Sequence, residues 1–123
     1  MLHKKYKDLS KRPKPDFVVQ YRFLDTKKTL PHQGYRSSFM YEEDARTTNE
    51  VKYAYDIFPE FKDEKGGIIM NLNEKVLREG VADMWILVEQ SRNFHKEKMK
   101  IGSKGYFLEG TKIVAECEVI KIN

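Results

Sequence analysis

The chain has 123 residues, 40% of them hydrophobic and 34% charged, with three His and a single Cys. Such a length fits one domain, which buries somewhat over ~60% of the surface its unfolded form exposes, and a lone cysteine excludes a disulfide-stapled scaffold. The sequence has neither an apolar run of about 18 residues nor an apolar h-region after its first charges, a pattern that points to the cytosol and away from membrane-spanning and secreted classes. The net charge of +4 is unevenly spread: six cations (Lys4, Lys5, Lys7, Lys11, Arg12 and Lys14) against Asp8 put +5 on residues 1–15, leaving −1 on the rest. Pro13 and Pro15 bar a regular helix or strand across those two positions, so residues 1–15 read as a basic, flexible tail and residues 16–123 as one domain.

In chain order, the first element is predicted from Phe17 to Leu24, where Phe17, Val19, Tyr21 and Phe23 share one face at period two. Asp25-Thr26-Lys27-Lys28 makes a polar turn, and a loop with Pro31 enters the next strand through Gly34. That strand is predicted over Tyr35 to Tyr41, ending where Glu42-Glu43-Asp44 need a solvated setting. Val51 to Ile57 alternates again as a third strand, which Pro59 is expected to stop. Gly66-Gly67 punctuates a charged loop before a short apolar strand at Ile68 to Leu72. Asn73 to Gly80 is too short for an independent helix and reads as a turn ending at glycine.

Val81 to Val88 is the most apolar stretch and suits a strand buried on both sides. Arg92 to Lys104 reads as a basic loop carrying Phe94 and His95. A hairpin then closes the chain, with strands at Lys104 to Leu108 and Thr111 to Ile122 around a Glu109-Gly110 turn. Six or seven strands spaced by turns give an all-β class and a closed antiparallel six- or seven-stranded β-barrel. Trp85, Tyr53, Tyr55, Phe39 and Phe107 are expected to fill its interior, because aromatics at period two fill small barrels.

Catalytic chemistry finds no constellation to use. Cys117 lies in the alternating run Val114 to Ile120 and reads as a strand residue, without the His or Asn motif of a nucleophile. His3, His32 and His95 are scattered, away from Cys or carboxylates at metal spacing, and read as surface or loop residues. Glu116 and Glu118 share one strand face, which a solvated barrel exterior explains. Ser37-Ser38 lacks a glycine-flanked nucleophile elbow, and the sequence carries no phosphate loop. The expectation is a non-enzyme with no cofactor, no metal and no bound nucleotide.

Three motifs in order tie Phe17 to Ile122 to one family. Pro31 followed by Gly34-Tyr35-Arg36-Ser37-Ser38-Phe39 is similar to a Gly-Tyr-Arg-Pro-Gln-Phe strand entry. Glu79-Gly80-Val81-Ala82-Asp83-Met84 is similar to a Pro-Gly-Asp turn before an apolar strand. Gly105-Tyr106-Phe107-Leu108-Glu109-Gly110-Thr111-Lys112-Ile113-Val114 is similar to an Arg-Phe-Ala-Ile-Arg-Glu-Gly-Gly-Arg-Thr-Val hairpin. In these respects the chain resembles the third, C-terminal β-barrel domain of elongation factor Tu, here as a free-standing single domain. The resemblance implies a barrel of that type and a binding role linked to translation, since the family's domain packs on a GTPase domain and helps hold aminoacyl-tRNA. Gly34, Tyr35, Arg36 and Phe39 are the family-motif positions. The chain departs from the pattern at Lys28-Thr29-Leu30, where the family has Arg-His-Thr, and at Ser37-Ser38. It departs again at Glu42-Glu43-Asp44, where the family has Arg-Thr-Thr and where acidic groups oppose a phosphate backbone.

Two functions from different classes follow. The first is a protein-interaction barrel, suited to a nearly neutral body without catalytic groups. The second is a tRNA- or RNA-binding accessory, with Lys28, Arg92, Lys96, Lys98, Lys100 and Lys104 as phosphate contacts and Phe94 for stacking. Geometry separates them, through whether the tail and the 92–104 segment share one end of the barrel.

Overall fold

A computed structural model describes residues 1–47 and 54–123. Its six strands are β1 (Phe17–Phe23), β2 (Ser38–Tyr41), β3 (Tyr55–Phe61), β4 (Glu79–Ile86), β5 (Lys104–Glu109) and β6 (Lys112–Ile122). They form a closed barrel in the order β1-β4-β3-β2-β5-β6, every pair antiparallel. The ring is completed by β1 against β6, with Phe17 opposite Ile122. Among the described residues three short α-helices accompany it, α1 (Tyr6–Ser10), α2 (Glu42–Thr47) and α3 (Arg92–Lys98), with a 3-10 turn at Glu89–Ser91. Among the described residues no helix is long and apolar enough to cross a membrane.

Alternation builds the interior as anticipated. Phe17, Val19, Tyr21 and Phe23 of β1 point inward, joined by Ile57 and Phe61 of β3, Phe39 and Tyr41 of β2, Phe107 of β5, and Cys117 and Val119 of β6. Rings pack edge to face, with Tyr21 against Phe61 at 5.1 Å and Phe39 against Tyr41 at 5.0 Å, the offset that ring quadrupoles favour. Gly105 lets the Phe39 ring in. A β-carbon built on Gly105 would lie 2.5 Å from Phe39 Cζ and 2.9 Å from the Met40 carbonyl oxygen.

The apolar run of β4 divides differently from the expectation. Ala82, Met84 and Ile86 belong to the core cluster, whereas Trp85 lies on the opposite, outer face of β4 with Val81 and Asp83. Trp85 is therefore not barrel filling; it is buried from outside by residues 1–12. Tyr53, also assigned to the interior, lies outside the described residues, as does the start of the predicted Val51 to Ile57 strand.

Pro59 does not stop β3, and the ladder explains why. Leu87 donates its N–H to the Asp56 carbonyl and Lys62 donates to Val81, so even-numbered residues of β3 turn their backbone groups toward β4. Residues 57, 59 and 61 face the other way, where the described pairing with β2 ends at Ser38 opposite Asp56. Proline's missing N–H therefore costs no bond to β4. On that edge a side chain serves as the neighbouring strand: the buried Gln33 amide donates to the Phe61 carbonyl at 2.8 Å and accepts from the Phe61 N–H at 2.8 Å.

Other boundaries move for similar local reasons. The predicted Tyr35 to Tyr41 strand begins only at Ser38, because Gly34 sits at φ +94° and Tyr35 folds over the barrel end against Phe23 and Phe61. Glu42-Glu43-Asp44 opens α2, where three carboxylates suit the positive end of a helix. Ile68 to Leu72 is loop with single bridges, although Ile69 is buried. Gly80 lies inside β4 and does not close a turn. The basic segment after β4 folds into α3, consistent with a run free of Gly and Pro from Arg92 to Lys98. Residues 1–15 lie along the outside of β3 and β4 and are not a loose tail, since His3 is buried and Tyr6 packs on Trp85.

Candidate interaction surface

The strand directions put α2, α3 and the 99–103 turn at one end of the barrel, around the start of β1 and the end of β4. The loop that carries Gly34, Tyr35 and Arg36 lies at the other end with the Gly110 turn. This arrangement splits the sequence-selected cations. Arg92, Phe94, Lys96, Lys98, Lys100 and Lys104 gather at the α3 end, whereas Lys28 is exposed in the loop at the opposite end.

His95 anchors α3 and was not anticipated as a buried group. It is fully buried, its Nδ1 2.7 Å from the Tyr41 hydroxyl and its ring edge-on to Tyr55 at 4.5 Å. Nε2 has no hydrogen-bond partner among the described residues. Burial pushes the imidazole pKa down, because the charged form loses its water; Asp16 opposes that shift. The signal in the sequence was helical spacing, with Arg92, His95 and Met99 at i, i+3 and i+7 on one face.

Two of the cations are engaged by carboxylates. Arg92 Nε donates to Asp16 Oδ1 at 2.8 Å, while Asp16 Oδ2 accepts from Arg12 and from the Ile86 N–H at 2.7 Å. Asp16 is thus a buried node joining the N-terminal segment, β4 and α3. Lys98 meets Glu43 at 2.8 Å and Asp44 at 3.4 Å, which raise its pKa, the hydrogen bond to Glu43 foremost. Its ammonium also lies over the Tyr41 ring at 5.1 Å. Lys96, Lys100 and Lys104 remain exposed, and Phe94, its ring tilted against Tyr55 at 5.7 Å, is 45% exposed. A groove of about 370 Å³ between α2 and the 99–103 turn is lined by Tyr41, Glu42, Glu43, Lys98, Lys100 and Lys104. It presents both signs of charge side by side.

The family-motif positions play structural parts. Tyr35 donates its hydroxyl to Glu109, which also pairs with Lys27 at 2.8 Å, and these bonds hold the Glu109 carboxyl below the ordinary carboxylate range. Arg36 places its guanidinium 4.6 Å from the Phe58 ring centre. Glu116 and Glu118 are exterior, with Glu116 bound to Arg22 at 2.8 Å. Cys117 faces the interior, where burial raises its thiol pKa. His32 is exposed, and among the described residues no group of three or more His, Cys, Asp or Glu is placed to hold a metal. No protein-family model matches the chain, and a search of curated proteins finds no relative.

Proposed function

We propose that the chain is a non-catalytic binding barrel, similar in plan to the third domain of elongation factor Tu, that engages a protein partner through its α3 end. One observation carries this reading: the carboxylates of that end take up its inner cations. Arg92 is bound to Asp16, and Lys98 to Glu43 and Asp44. Phosphate-backbone binding draws its affinity from cations that release counterions, and each carboxylate at the surface subtracts from that. Alternating charge around a half-exposed Phe94, with Ile101 65% exposed at the same end, matches the aromatic anchor and polar rim of a protein interface. The cytoplasm is the setting we assign, and a component of translation is the partner class that the resemblance implies.

The exposure of Lys96, Lys100 and Lys104 on one end favours a second reading, a tRNA- or RNA-binding accessory. One experiment separates the two. The full chain and its Phe94→Ala and Lys96→Glu/Lys100→Glu/Lys104→Glu variants are used to capture partners from lysate with and without nuclease, alongside filter binding of tRNA over a salt series. The protein reading expects nuclease-resistant capture that Phe94→Ala weakens about tenfold or more. Capture abolished by nuclease, together with tRNA binding that falls steeply with salt and vanishes in the triple lysine variant, overturns it in favour of RNA.

A further inference from the structure

The outer face of β3 and β4 is built like a protein interior. Phe58 and Trp85, both pointing away from the barrel core, are only 5% and 2% exposed, and Glu60 beside them is 2% exposed. Residues 1–12 cover them. The Tyr6 ring lies 5.6 Å from Phe58 and 4.9 Å from Trp85, and the Arg12 guanidinium sits over Trp85 while donating to the Ile86 carbonyl at 3.0 Å. Glu60 is served entirely within this seat: Oε2 takes His3 Nε2 at 2.6 Å and the Tyr6 N–H at 3.0 Å, and Oε1 takes the Trp85 indole N–H at 3.2 Å. At the far end His3 donates its backbone N–H to Met70 at 2.7 Å. The segment is thus a strap running the height of the barrel, joined to β1 by Pro13-Lys14-Pro15 and Asp16.

We infer that this face is a docking site for residues 1–12 of a second copy of the chain, exchanged between two barrels about the Pro13–Pro15 hinge. The contacts of His3, Tyr6 and Arg12 with Glu60, Met70, Phe58, Trp85 and Ile86 run between strap and barrel, so each forms equally well between two chains. The ring of six strands takes nothing from residues 1–12 and closes without them. The hinge favours the exchange: two prolines in three residues fix φ near −65° and push the residue before each toward extended backbone, whereas the chain bends at Pro13, Lys14 and Asp16 to fold back on its own barrel. Once vacated, the seat leaves the buried Glu60 carboxylate with the Trp85 N–H alone and strips Tyr6 from the Phe58 and Trp85 rings, so it is refilled from the same chain or from another. This inference draws on neither Phe94 nor the lysines of α3 and stands or falls apart from the interface proposed there.

Size exclusion with light scattering on the full chain, from micromolar to millimolar concentration where a short linker's effective concentration lies, is the test. A dimer is expected that grows with concentration and relaxes slowly on dilution, with the fluorescence of Trp85, the only tryptophan, equally blue in both species. Tyr6→Ala should lower the dimer at least tenfold and shift Trp85 emission to the red. Pro13→Gly combined with Pro15→Gly should lower the dimer while Trp85 stays blue, which distinguishes a hinge effect from lost packing or misfolding. A monomer at every concentration overturns the inference, as does a dimer unmoved by the hinge variant.

Discussion

Gly105→Ala is the sharpest trial of the packing described for the barrel. The added methyl would meet Phe39 Cζ at 2.5 Å, Phe39 Cε2 at 2.6 Å and the Met40 carbonyl oxygen at 2.9 Å. Neither neighbour yields easily: Phe39 is held among Phe17 and Tyr41, and the carbonyl belongs to a strand paired with β5 at Met40 opposite Tyr106. Overpacking of this kind costs about 2 kcal/mol. For a domain of this size that lowers the melting temperature by roughly 6–10 °C, and at an ordinary urea dependence it lowers the unfolding midpoint by roughly 1 M. Urea titration followed by Trp85 emission measures it. Gly67→Ala is the control, since its nearest neighbour is the Asp63 carboxylate at an ordinary 3.6 Å, and it should stay within about 0.5 kcal/mol of the parent. In a Phe39→Leu background, which removes both ring atoms, the Gly105→Ala cost should fall by about 1 kcal/mol, the coupling of a contacting pair. The reasoning fails if Gly105→Ala is within about 0.5 kcal/mol of the parent, or costs the same with Leu at 39.

Other expectations concern the titrating groups. Burial holds His95 below its ordinary 6.5, so the unfolded chain takes up the proton more readily; the stability from neutral His95 is complete above about pH 6.5 and is lost as the pH falls. Urea midpoints between about pH 8 and pH 5 should therefore decline less in His95→Gln than in the parent, and parallel declines would contradict the assignment. Cys117, whose thiol is raised by burial, should react with iodoacetamide roughly a thousandfold more slowly in the native protein than in urea; similar rates would place it at the surface.

Where period two met a conventional turn, the sequence was readable to within a residue or two. β1 and the β5–β6 hairpin were legible because Phe17 to Phe23 and Lys112 to Ile122 repeat at two and end at polar or glycine turns, and β4 because Val81 to Ile86 is a short, nearly continuous apolar run. Trp85 was misplaced because β4 is apolar on both faces, and nothing local says which face meets the barrel interior. The answer lay some eighty positions earlier in Tyr6 and Arg12, whose basic, proline-flanked setting resembles an unstructured tail. Pro59 misled for another reason: proline interrupts only those ladders that need its N–H, and ladder phase is a property of the pairing. At the α3 end the charges were legible as a set, but their pairing with Asp16, Glu43 and Asp44 depends on chain segments brought together by the barrel.

The pairing of β1 with β6 sets the order in which this protein can be made. β1 needs β4 on one side and β6 on the other, with Val19 opposite both Ala82 and Val119. As the chain leaves the ribosome, β1 waits with both edges bare, and one of them stays bare until β6 has emerged. Closing the ring is therefore a late event that joins residues about a hundred positions apart, in a topology whose contacts are mostly nonlocal and whose folding is correspondingly slow. During that interval Phe17-Val18-Val19 at the unpaired edge is a template for other strands, so a substitution that delays β6 should show first as aggregation of new chains.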